Sequence, residues 1–191
     1  MQPPLLEIRL PLWLQQQIAG QQRILATPDQ RMRWVIDLGW QSIRQPPAER
    51  GGPFAAAVFD ADNHELVAAG VNLVLPAGAS IAHAEIVALT QAQKTLGYHR
   101  LDLIPNRRFE LVSSTEPCAM CLGALPWAGI HRLLCGATER DARAIGFDEG
   151  DKPQNWPKKL RARGIEVETG LCRDEAADLL QGYLNEQGTL Y

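Results

Sequence analysis

No apolar run in this chain approaches the roughly 20 residues needed to cross a bilayer. The first stretch, MQPPLLEIRLPLWLQQQ, carries Glu7 and Arg9 inside its apolar part and has no basic segment before a clean apolar core. It does not read as a signal peptide, and with no export signal a cytoplasmic location is expected. A net positive charge is also lacking. The formal net charge is -3, so no overall field draws in a polyanion, which argues against a nucleic-acid partner. There is no glycine-rich phosphate loop, no dinucleotide fingerprint, no internal repeat and no long linker. Cysteine is scarce: Cys118, Cys121, Cys135 and Cys172 are the four. In a reducing compartment, cysteines paired by spacing more often bind metal or do chemistry than form disulfides.

What is present suits one globular domain over residues 1–191. The length is sufficient to bury a core without staples, and 46% of residues are apolar. Residues 1–26 are rich in Gln and Pro and poorly patterned; they read as an N-terminal extension with a short helix near 11–19. Thr27-Pro28-Asp29-Gln30 is a helix start, with a Thr cap, Pro in the first turn and Gln at the third helical position. Residues 54–60 and 65–75 read as two strands of a hairpin around the turn cluster at 60–63. Helices are expected over 81–96, capped by Ser80 and closed by Gly97, over 118–125, where Pro126 should end or kink the helix, over 155–163 and over 174–187. Strands are expected over 109–114, 131–137 and 165–169. A hairpin followed by alternating units predicts an α/β fold: a mixed five-stranded sheet between layers of helices, a three-layer α/β/α sandwich.

The informative motif is Pro117-Cys118-Ala119-Met120-Cys121, read with His83-Ala84-Glu85. Cys118 and Cys121, three apart at a helix start, place both sulfurs on one face. The helix N-terminus and a bound cation both favour thiolate. With His83 they form a His-Cys-Cys donor set for one Zn2+ per chain. Three protein ligands leave the fourth position to water or hydroxide, the mark of a catalytic site rather than a structural one. Residues two apart on a helix point about 200° away from each other. His83 and Glu85 therefore meet at one site only if His83 sits at the very start of its helix.

The pattern H-x-E…P-C-x-x-C is the signature of the zinc nucleobase deaminases, and the chain resembles the cytidine/deoxycytidylate deaminase superfamily from about Gly52 to Gly170. The resemblance implies a cytidine deaminase-like fold and hydrolytic loss of ammonia from a base. Zinc lowers the pKa of water from 15.7 toward about 7, worth about 12 kcal/mol of deprotonation. A carboxylate beside that water then moves protons to the ring and to the leaving amine. Glu85 is the residue for that task.

The signature does not choose the base. The resemblance implies that Asn72 and Ala84 contact substrate, that Phe147 stacks on the base, and that Glu149 is a second catalytic carboxylate. Asn72 also reads as a strand or turn residue bonded to backbone. Asp148 and Glu149 also read as a solvated acidic loop. The segment 144–150 is most similar to that of bacterial guanine deaminases, including a subgroup active on the triazine ammeline. Tyr191, with residues 188–191, is read as a lid on the site or as a frayed end, and Phe54 as a pocket wall or plain core. The function expected is conversion of guanine, a small nucleobase, to xanthine plus ammonia. The alternatives are a cytosine, cytidine, pterin-like or tRNA-adenosine substrate, or a module in which zinc only staples the fold. The basic run Lys158–Arg163 is the one feature favouring tRNA, and it reads first as a solvated helix face. Related deaminases are commonly dimeric, so a homodimer is expected, with Trp127 at an interface or in the core.

Overall fold

The capping signal at Thr27 is realised. In the computed structural model, which describes residues 7–19 and 24–191, Gln30 N–H donates to Thr27 Oγ1 and Thr27 N–H donates to Gln30 Oε1, both at 3.2 Å. This reciprocal pair starts helix α2, Pro28–Ile43, and such a cap is worth about 1 kcal/mol. Before it lies α1, Leu12–Ile18. The rest of the proposed extension over 1–26 falls partly outside the described residues.

After α2 the chain forms β1, Ala55–Asp60, and β2, Leu66–Val71. The second strand is shorter than the expected 65–75. It ends at Asn72, whose side-chain Oδ1 accepts from Val74 N–H at 3.1 Å. That local bond turns the chain out of the ladder and into a short helix α3, Val74–Ala77. Helix α4, Ala84–Leu96, follows, and its N-cap is His83 itself. Ser80 lies in an exposed turn and does not cap it.

Strand β3, Phe109–Thr115, leads into α5, Ala119–Ala128. This helix does not end at Pro126 but continues two residues past it; Gly129 closes it in the left-handed conformation, donating to Leu125 O. Strand β4, Arg132–Ala137, precedes α6, Glu139–Ala144, a helix not expected from the sequence. Then come α7, Trp156–Arg161, β5, Glu166–Glu168, and α8, Arg173–Asn185.

The five strands form one mixed sheet in the order β2-β1-β3-β4-β5. Strand β1 runs antiparallel to β2 and β3, while β3, β4 and β5 run parallel. One face packs α2 and α8 through Met32, Val35, Leu179 and Tyr183. The other packs α4, α5 and α7 through Ala88, Leu89, Leu125 and Leu160. Gly70 lets α4 lie close on β2: a Cβ there would meet Ala84 O at 2.6 Å. At the far end of the sheet Glu110 is fully buried against Arg31, itself buried, and Arg132. Among the described residues no helix is long and apolar enough to cross a membrane.

Candidate active site

The carboxyl end of β3 meets the start of β1 where strand direction reverses, the kind of crevice in which open α/β sheets bind ligands. His83 enters it from the start of α4 with extended backbone, φ -67° and ψ 152°. Because His83 precedes regular helix, Glu85 in the first turn reaches the same crevice. Cys118 is the extended N-cap of α5 and Cys121 lies in its first turn.

The donor atoms of His83, Cys118 and Cys121 all lie within 4.8 Å of one another. His83 Nδ1 is 3.5 Å from Cys118 Sγ. Zinc bond lengths in a tetrahedral site imply an N–S edge of about 3.5 Å. The geometry and the soft donor set therefore fit Zn2+. Cys135, buried in β4, and Cys172, at the start of α8, lie outside this cluster; all four cysteines are free.

Electrostatics separate the two thiols. The hydrogen bond from Cys121 and the neighbouring His83 hold Cys118 down to about 4. Cys121 is pushed far up by giving that bond, by burial and by the Glu85 charge. Glu85 is buried, and its Oε2 lies 3.4 Å from Cys121 Sγ. Burial first, then the Cys118 thiolate, raises its proton affinity.

Beside these groups is a cavity of about 80 Å³ lined by Phe54, His83, Glu85, Thr115, Glu116 and Cys118, with Phe147, Asp148, Glu149 and Tyr191 completing the wall. The Phe147 ring makes edge contacts with Phe54 at 4.8 Å and Tyr191 at 5.3 Å between centroids. Glu149 is 4% exposed, and its Oε2 is buried without a hydrogen-bond partner among the described residues. Burial raises it to about 7. Its backbone carbonyl accepts from Ala119 N–H at 2.9 Å, tying this loop to α5.

Tyr191 reaches the cavity of its own chain because the tail folds back. Tyr183 Oη donates to Thr189 O at 2.7 Å, and a Cβ at Gly52 would run into the Tyr191 hydroxyl. Asn72 and Ala84 are buried next to the site but do not line the cavity. Thr115 and Glu116 do line it and were missed in the sequence, although they directly precede Pro117; the Thr115 hydroxyl is buried without a partner among the described residues. Lys158, Lys159, Arg161 and Arg163 lie on an exposed surface.

The chain is similar to known proteins in sequence and fold. Residues 29–137 match the cytidine and deoxycytidylate deaminase zinc-binding region. The solved guanine deaminase of Nitrosomonas europaea is 48% identical, with a TM-score of 0.89 covering 96% of this chain and 98% of that one. A guanine deaminase of Bacillus subtilis is 38% identical over 109 residues, which is 54% of this chain and 65% of that protein's length. A tRNA-specific adenosine deaminase of Haemophilus influenzae is 30% identical over 83% of this chain and 84% of its own. With its His-Cys-Cys cluster at the end of a mixed five-stranded sheet, the chain belongs to the cytidine and deoxycytidylate deaminase zinc-binding family.

Proposed function

We propose that this protein is a guanine deaminase: guanine and water give xanthine and ammonia. The observation that carries the choice of base is the similarity to the Nitrosomonas europaea guanine deaminase over nearly the full length of both chains. His83, Cys118 and Cys121 hold one zinc per chain, with the fourth position open to water. Zinc, when bound, supplies Lewis acidity that makes water nucleophilic near neutral pH.

The chain's own groups do the rest. Glu85 accepts a proton from the attacking water and delivers it to the ring nitrogen beside C2. Glu149, on the cavity wall, donates a proton to the exocyclic nitrogen. The C2–N bond then breaks and ammonia leaves, while the C2 hydroxyl gives its remaining proton to the Glu149 carboxylate and becomes the carbonyl of xanthine. Phe147 stacks on the base, Phe54 walls it in, and the Ala84 segment borders it. Asn72, buried just behind the cavity wall, turns its amide toward the base edge while its Oδ1 also accepts from Val74 N–H. Tyr191 and residues 188–191 close the mouth, in a single deaminase domain over 1–191. A small cavity of about 80 Å³ and a net charge of -3 favour a free base over a tRNA loop. Ammeline, which carries its amine on a similar ring carbon, is a second substrate.

The active form is a homodimer working in the cytoplasm. Helix α5 is apolar on all sides, yet it exposes Met120 and leaves Trp127 77% exposed on the same face. Such a helix is normally covered, and a second copy of this face covers it. An ammonia-release screen over guanine, guanosine, adenine, cytosine, cytidine and ammeline tests the proposal. Guanine is expected to be the best substrate; preferred turnover of cytosine, or salt-sensitive action on tRNA alone, overturns it.

A further inference from the structure

Lys152 is a buried cation that the deamination chemistry leaves without a role. Its side chain is 2% exposed, with Nζ 3.4 Å from Glu139 Oε2 and 3.7 Å from Glu116 Oε2, and 5.5 Å from the centre of the Trp156 ring. Among the described residues neither carboxylate contact is a well-formed hydrogen bond. Burying an ammonium is costly unless charges of opposite sign surround it, and an apolar residue of similar length would pack against Trp156 without that cost. Its two carboxylate partners are therefore the feature to explain.

Those partners sit on separate segments at the site. Glu116 lines the cavity and directly precedes Pro117-Cys118. Its carboxylate also accepts from Glu139 N–H at 3.0 Å, at the start of α6. Lys152 ends the loop that carries Phe147 and Glu149, and its N–H donates to Gly150 O at 3.0 Å. One ammonium thus joins the segment before the Cys118 turn, the start of α6 and the loop bearing the second carboxylate.

We propose that Lys152 is a positioning residue for deamination, an internal counter-ion that holds the 147–152 loop so that Glu149 faces the reacting base. Its charge also offsets those of Glu116 and Glu149. At Glu149 that charge opposes the upward push of burial. The inference rests on the proposed guanine deaminase function.

The test measures ammonia release from guanine by zinc-loaded wild type, Lys152→Met and Lys152→Arg, with zinc per chain determined for each. Expected is a fall in kcat of about tenfold for Lys152→Met with KM within threefold and zinc unchanged, and recovery to within threefold of wild type in Lys152→Arg. A change in kcat under threefold, a loss that tracks lost zinc or appears only in KM, or no recovery in Lys152→Arg overturns the proposal. If Lys152→Met yields no folded protein, Glu139→Gln decides. A kcat loss of threefold or more at full zinc supports the proposal, and a smaller one overturns it. If wild type is inactive on guanine, the proposed function fails instead, and the best substrate of the screen replaces guanine here.

Discussion

Asp148 and Glu149, adjacent in the chain, face opposite ways. The Asp148 side chain is 85% exposed and accepts from Gly150 N–H at 2.9 Å, with Arg143 at 3.5 Å. Glu149 turns into the protein, with one carboxylate oxygen buried and unpartnered among the described residues. The outer acid shapes the loop, and the inner one is left to the substrate.

The pair makes a prediction about pH. Burial raises Glu149 to about 7, so it is protonated below that value and ionised above it. As a proton donor it should give kcat/KM a basic limb near pH 7. Glu149→Gln should remove the limb and lower kcat about 10²-fold or more, while Asp148→Asn should keep both the limb and most of the rate. A profile left unchanged by Glu149→Gln would reverse the assignment.

Glu85 and Cys118 should fail in different ways. Glu85→Gln is expected to retain zinc and lose about 10²- to 10⁴-fold in kcat. Cys118→Ala should lose the metal together with the activity. Metal analysis beside turnover separates the two; near-normal turnover by zinc-loaded Glu85→Gln would remove Glu85 from the mechanism.

Deleting residues 188–191 removes the Tyr191 ring from its contact with Phe147. Losing one such contact, about 1 kcal/mol, corresponds to about five- to tenfold in KM for guanine, with zinc content unchanged. Wild-type kinetics in the truncated protein would dispose of the lid.

Trp127→Glu places a charge in the exposed apolar face of α5. Sedimentation at micromolar concentration should show the wild type as a dimer and the variant as a monomer. A wild-type monomer, or a variant that stays dimeric, would move the interface elsewhere.

Asp141 offers a test of stability. The Arg173 guanidinium, with further bonds from Thr138, holds its carboxyl well below the usual range. A depressed folded value means that this stabilisation is present above about pH 3.8 and is lost as pH falls. Asp141→Asn should therefore cost about 1 kcal/mol near neutrality. The gap in Tm from wild type should close in acid; a gap independent of pH would mean the charge is irrelevant.

Local signals explain which parts of the structure were legible in the sequence. The Thr27 box, the hairpin and the alternation of strands and helices follow from patterns a few residues long. The metal donors were readable because Cys118 and Cys121 are fixed by helical spacing and His83 with Glu85 by a two-residue offset. Helix α6 was missed although Thr138 and Asp141 cap it, because six residues carry too little apolar periodicity to register. The run after Ala69 read as one strand because Val71, Leu73 and Val74 are apolar; the bond from Val74 N–H to the Asn72 side chain competes with the ladder and wins. Pro126 costs one bond near the end of α5, where the Gly129 cap recloses the helix. Lys152 had no local signature at all, since its partners lie 36 and 13 positions away.

The close approach of Gly52 to Tyr191 gives a handle on the tail that truncation does not. One added methyl at position 52 would occupy the space the Tyr191 hydroxyl now fills. Gly52→Ala is thus a wedge: it props the tail away from the cavity while every catalytic side chain and every tail residue stays in the protein. Comparing it with the deletion separates what the tail does by being seated from what it does by being present.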